Sequence, residues 1–201
     1  MLEKELNKNT ILLFGTGNTP TFEKLINNND IFVTGCDISS DVVNNKKKKF
    51  GDRSFFTPEN LPPKISFDSI IAVEVFEHLT NPLQTLFLLM SKLNKDGIIC
   101  GTTNFYLGDG IEDSNDPGYM SHKGHVAYWS LKSMKTAVQK YDPQYNVILF
   151  EMVRPGSVLP DEKYNQLWPN KRVFFIYPSN EYERFFTELK NETSILPIDK
   201  P

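Results

Sequence analysis

Apolar and polar positions follow two rhythms along the chain. Short apolar runs of strand length lie at Ile11–Phe14, Ile31–Cys36, Ser66–Val73, Gly97–Thr103, Asn146–Val153 and Arg172–Tyr177, with a weaker one at Arg53–Phe56. Between them apolar residues recur every three or four positions, which predicts helices over Thr21–Asn28, Ser40–Lys48, Leu83–Leu93 and Leu131–Lys140. Punctuation agrees with these limits. Asn81 and Pro82 read as an N-cap and first helical residue, Ser130 reads as an N-cap, and Asn94–Gly97 reads as a helix stop ahead of the next strand. Leu83, Leu86, Phe87, Leu89, Met90 and Leu93 form one stripe at helical spacing and are expected in the core.

Strands alternating with helices predict an α/β fold: a Rossmann-like, doubly wound, mostly parallel seven-stranded sheet with helices on both faces and an antiparallel last strand. Residues 104–129, rich in Gly, Asp, Asn and Tyr, and residues 154–170, rich in Pro and polar side chains, keep neither rhythm. Both follow strands, and ligands of open α/β sheets sit beyond the carboxyl ends of strands, so both segments are expected to be substrate loops, the second also a lid.

Composition removes several classes of function. An apolar fraction of 39% with 23% charged residues describes a folded chain. A net charge of −3 provides no broad basic surface and disfavours a nucleic-acid partner. The run Lys46–Lys49 reads as a solvated helix end. Cys36 and Cys100 sit within apolar runs and read as buried thiols, not as a disulfide or metal ligands. The opening MLEKELNKNT lacks an apolar core of signal-peptide type, and no stretch reaches the roughly 20 apolar residues of a membrane span. A cytoplasmic location and no membrane partner are expected.

The first strand runs into Gly15-Thr16-Gly17, a turn small enough for backbone N–H groups to approach a ligand. About twenty residues on, the second strand ends at Asp37-Ile38, where a carboxylate is placed to accept hydrogen bonds from the hydroxyls of a ribose, or to cap the helix that begins near Ser40. Together the two features point to an adenosine-containing cofactor.

The next apolar run continues as Phe67-Asp68-Ser69-Ile70-Ile71-Ala72-Val73-Glu74-Val75-Phe76-Glu77-His78-Leu79. Here the sequence resembles the class I S-adenosylmethionine-dependent methyltransferases, in which an FD-led strand runs into an E-H-(L/V) segment. The likeness extends through Leu93-Asn94-Lys95-Asp96-Gly97, which resembles that family's turn into its fifth strand, and covers about half the chain, from Ile11 to Thr103. It implies S-adenosyl-L-methionine as cofactor, with Gly15, Thr16 and Gly17 at its methionine part, Asp37 with Ile38 at the ribose side, and Glu74, Val75 and His78 beneath the adenine and sulfonium. Two positions depart from the family pattern: Leu13 replaces an acidic residue and Thr19 a third glycine.

The segment Gly118-Tyr119-Met120-Ser121-His122-Lys123-Gly124-His125-Val126-Ala127-Tyr128-Trp129-Ser130 resembles one that precedes a helix in a subset of these enzymes associated with glycoconjugates, and His125 matches its histidine. Histidine is suited to take a proton from an attacking hydroxyl near neutral pH. His125 is therefore the expected general base, with a loop-ordering role as the alternative. Tyr106, Tyr119, His122 and Tyr128 are the expected acceptor-side contacts, and although paired histidines leave room for a cation, no metal is expected. The sequence thus predicts one domain, divided into a cofactor-binding half (1–103), a substrate-side half (104–178) and a tail (179–201). The expected activity is O-methylation of a small-molecule or glycan-like acceptor. The alternatives are an inactive binding module of the same fold and nitrogen methylation of a macromolecule. A nicotinamide dehydrogenase would share the glycine turn and Asp37 but leaves the VFEHL segment without a purpose.

Overall fold

A computed structural model describes residues 9–17, 21–26, 30–51, 54–106, 122–151, 171–179 and 182. In chain order these form β1 (Asn9–Phe14), α1 (Thr21–Ile26), β2 (Ile31–Cys36), α2 (Ser40–Phe50), β3 (Phe55–Phe56), β4 (Phe67–Val73), α3 (Pro82–Ser91), β5 (Leu93–Tyr106), β6 (Trp129–Ser130), α4 (Leu131–Tyr141), β7 (Tyr145–Glu151) and β8 (Lys171–Pro178), with short 3-10 turns at Pro58–Asn60 and Phe76–His78.

The strands join in one sheet of order β3-β2-β1-β4-β5-β8-β7. Neighbours from β3 to β5 are parallel, and β8 runs antiparallel to both β5 and β7. This is the expected seven-strand path with its antiparallel member. To it the structure adds β6, a two-residue strand pairing Phe105 with Trp129 and Tyr106 with Ser130. Such a short pairing carries no periodicity of its own, so the pattern of residues 104–129 gave no sign of it.

Each sheet face has its own core because successive strand residues point to opposite sides. Leu12 and Phe14 of β1 join Leu86, Leu89 and Met90 of α3 and Met134, Ala137 and Val138 of α4. Leu13, between them, joins Phe22 of α1, Val43 of α2 and Phe55 of β3. Ser130 caps α4 through a reciprocal bond with Ser133, as its position predicts. Asn81 occupies the N-cap of α3 but makes no side-chain cap bond.

Several expectations need correction. Leu93 belongs to β5, not to the preceding helix: Phe67 pairs with Leu93 and Ser69 with Ile98, so residues 94–97 bulge out of the ladder. Asp68 holds that bulge to β1, accepting from Asn94 Nδ2 (2.6 Å), Thr10 N (2.8 Å) and Thr10 Oγ1 (2.9 Å). Burial acts to raise its pKa, but the bonds from Thr10 and Asn94 outweigh it and hold the carboxyl below its ordinary value. Leu83, one turn ahead of Leu86, is half exposed, because the first turn of α3 precedes the turns that meet the core. The lysine run lies within α2 rather than after it; Lys46 is buried and Lys49 pairs with Glu23 at 2.6 Å. Cys36 is buried but Cys100 only partly so, and burial pushes the Cys100 thiol up to about 11. Among the described residues no helix is long and apolar enough to cross a membrane.

Candidate active site

Phe14 of β1 pairs with Cys36 of β2, and Leu13 of β1 with Ile71 of β4, so β1, β2 and β4 end nearly level, while β5 continues beyond Thr102, the partner of Val73, to Tyr106. Gly15, Asp37 and Glu74 therefore follow along one edge of the sheet, beside Thr103 within β5, where the strand order changes direction between β1 and β4.

On the β1–β2 side the architecture is mainly backbone. The Cys36 carbonyl accepts from the N–H groups of both Gly15 (2.8 Å) and Thr16 (3.1 Å), which turns the chain sharply away from β1. Gly15 has φ +75°, and a Cβ there would stand 2.3 Å from Val75 Cγ2, so no side chain fits. Gly17 also has positive φ, with open space on its Cβ side. Asp37 is nine-tenths buried and accepts from Gly17 N through one oxygen (2.8 Å) and from Ser39 N through the other (2.9 Å). Helix α2 has its own cap, Ser39, whose hydroxyl accepts from Val42 N. Asp37 thus ties the glycine turn to β2 instead of capping α2, and the second lone pairs of its oxygens remain available to ligand hydroxyls. Ile38, the neighbouring apolar side chain, is 75% exposed and supplies a bare surface beside that carboxylate.

The β4 side is strained. Glu74 adopts φ +53°, a left-handed conformation that costs an ordinary residue about 1–2 kcal/mol. It is held by its N–H donating to the Thr102 carbonyl (3.0 Å) and by its carboxylate accepting from Thr102 Oγ1 (2.6 Å). The reversal projects Val75 over Gly15 and starts the 3-10 turn that carries Glu77 and His78. Glu77 is buried, accepting from Thr103 Oγ1 at 2.9 Å through one oxygen, while its other oxygen, Oε1, has no hydrogen-bond partner. Burial, reinforced by the charge of Glu74, pushes its carboxyl above the ordinary range.

The segment predicted to hold acceptor contacts docks on this turn. The Glu77 carbonyl accepts from Val126 N (2.8 Å) and Ala127 N (3.0 Å), and His78 Nδ1 lies 2.8 Å from the Gly124 carbonyl. The three histidines of the chain meet there: the His125 ring is 4.8 Å from that of His78 and stacks on His122 at 4.4 Å. Tyr128 donates its hydroxyl to the His125 carbonyl (3.2 Å). Tyr106 is half-buried at the end of β5, beside β6, and Tyr119 lies outside the described residues, as do 154–170. The fold sets the His78 ring against the histidine loop. The sequence gave no sign of Thr102, Thr103 and Gly124, whose hydroxyls and carbonyl hold Glu74, Glu77 and His78 in place. Small polar residues within a strand leave no pattern that marks such partners.

The features needed by an adenosine cofactor are present: a turn closed to side chains, a carboxylate with spare acceptor capacity, and an exposed apolar neighbour. Comparison with known proteins agrees. Among solved structures, the methyltransferase in a complex with the Haloferax volcanii Trm112 methyltransferase activator superposes with TM-score 0.65 at 18% identity, over 86% of this chain and 83% of that one. The plantazolicin methyltransferase BpumL in complex with SAH gives 0.57 at 16% identity, over 88% and 80%. A SAM-dependent methyltransferase from Archaeoglobus fulgidus gives 0.57 at 16%, over 88% and 89%. At these identities the likeness is one of fold. No curated protein sequence matches the chain. Residues 1–146 match a methyltransferase domain family, and the chain belongs to that family, as an enzyme that uses S-adenosylmethionine.

Proposed function

We propose that the enzyme methylates a hydroxyl oxygen of a small, carbohydrate-like acceptor, with His125 as general base. The observation that carries this reading is the half-buried His125 ring beside the Glu74–His78 segment, at the end of the sheet where Gly15 and Asp37 also lie. In this reading Gly15, Thr16 and Gly17 receive the methionine part of the cofactor, Asp37 and Ile38 the ribose side, and Glu74, Val75 and His78 the floor. When bound, the cofactor supplies an electrophilic methyl group on a sulfonium.

The work left to the chain is alignment and removal of one proton. An acceptor hydroxyl would lie against His122, Tyr106, Tyr119 and Tyr128, and the His125 nitrogen would take its proton as the oxygen gains the methyl group and the sulfur, its bond to that carbon broken, leaves as S-adenosylhomocysteine. Residues 104–178 thereby provide the acceptor side of a chain whose first 103 residues hold the donor. Labelled S-adenosylmethionine incubated with nucleotide sugars, glycans and small phenols tests the reading. Label is expected on a hydroxyl-bearing acceptor; transfer confined to nitrogen acceptors would overturn it, and absence of S-adenosylhomocysteine binding would return the inactive module.

A further inference from the structure

Glu77, His78 and His125 come from two separate stretches of sequence, yet each offers a ligand atom, and these atoms all lie within 4.8 Å of one another. Glu77 is 1% exposed, and its Oε1 is left without a hydrogen-bond partner, an expensive state for a buried carboxylate that a bound cation would relieve. The Gly124 carbonyl can only accept, so the 2.8 Å contact places the hydrogen of His78 on Nδ1 and leaves the Nε2 lone pair available. A metal-binding histidine commonly shows this arrangement, its second nitrogen fixed by a backbone carbonyl.

We propose that Glu77, His78 and His125 form a binding site for a divalent ion of the zinc class, with one position open to solvent. One carboxylate and two imidazoles are a donor set that suits zinc and not magnesium or calcium, which favour oxygen. Bonds of about 2.0–2.1 Å in a tetrahedral site put ligand atoms about 3.4 Å apart, so the three need to close by up to about 1.4 Å. His78 is exposed and His125 half-buried, whereas Glu77 is buried. The site joins the floor that follows β4 to the loop that carries His125.

One consequence rests on the reading of His125 as the base. An imidazole bound to a cation no longer takes a proton from an acceptor, so the occupied site is an inhibited state, and zinc is expected to slow transfer while a chelator restores it.

The test uses the metal alone. Purified, metal-stripped protein is titrated with Zn2+ by calorimetry and with Co2+ by its visible absorption, without cofactor or acceptor. One equivalent is expected to bind, and Glu77→Gln, His78→Ala and His125→Ala are each expected to weaken it at least tenfold. Circular dichroism and urea unfolding report that each variant is folded; should Glu77→Gln not fold, the exposed His78→Ala decides. No binding by the wild-type chain overturns the site. So does affinity that survives Glu77→Gln and His78→Ala but disappears with His122→Ala, since the ion then sits on the stacked surface pair of His122 and His125. Zinc binding with no methyl transfer to any acceptor would remove the base and leave the metal site standing.

Discussion

The two sides of the sheet edge are built by opposite means. Around Gly15 and Asp37 the determining groups are backbone amides, carbonyls and the absence of a side chain, and both Asp37 oxygens are occupied by N–H donors. Around His78 and His125 the determining groups are titratable side chains, one of them a buried carboxylate with an orphaned oxygen. In the proposed reading the first side holds one invariant cofactor, which benefits from rigid, pre-organised geometry. In the proposed reading the second side moves a proton, which needs groups whose charge can change. The strained Glu74 stands between the two sides: its reversal puts Val75 over Gly15 and starts the turn that carries Glu77 and His78.

Breaking one side while watching the other tests this division. The largest effect is expected on the histidine side. His125→Ala should lower kcat by about a hundred- to ten-thousandfold, the usual contribution of a general base, with S-adenosylhomocysteine affinity kept within about twofold. Steady-state kinetics paired with calorimetry separate the two readouts, and unchanged kcat would reduce His125 to a loop-ordering role.

Next comes the glycine turn. Gly15→Ala places a methyl group against Val75 at a backbone angle that disfavours any side chain, and should cost about 2–4 kcal/mol of stability by urea unfolding. Cofactor affinity should fall with it. Asp37→Ala removes an acceptor from two backbone donors, and is expected to weaken cofactor binding by about 10- to 100-fold while the histidine cluster keeps its zinc affinity.

The smallest effect is a slope. Glu77 titrates above its ordinary value of 4.5 when folded. The folded protein therefore keeps a proton that the unfolded chain has already released, and stability falls as pH rises from about that value through the raised one. Glu77→Gln should flatten this fall, by no more than about 1.4 kcal/mol per pH unit, the limit for one proton, as read from urea midpoints across pH. Asp68, on the opposite end of β4, works in reverse: its stabilisation is lost as pH falls through its lowered value.

Much of the fold was legible because its signals are local. A strand buried on both faces is an apolar run, a helix is a period, and Ser130 or Pro82 marks a boundary by its own backbone chemistry. The glycine turn and Asp37 were legible for the same reason, since parallel strands deliver whatever follows them to one edge. The limits of β5 were not, because Asn94–Gly97 looks like a helix stop whether or not the ladder resumes at Leu93; the register with Phe67 and the Asp68–Asn94 bond decide it.

The sequence by itself determined the parallel core, the order of its elements and the residue types that end its strands, all of which follow from spacing along the chain. Only the tertiary structure decided that Glu77, His78 and His125 share one cluster. Their approach depends on the 3-10 turn after β4 and on the backbone bonds that dock residues 124–127 against it. Contacts between residues nearly fifty positions apart leave no period to read, because the geometry that creates them belongs to the folded sheet edge and not to either segment.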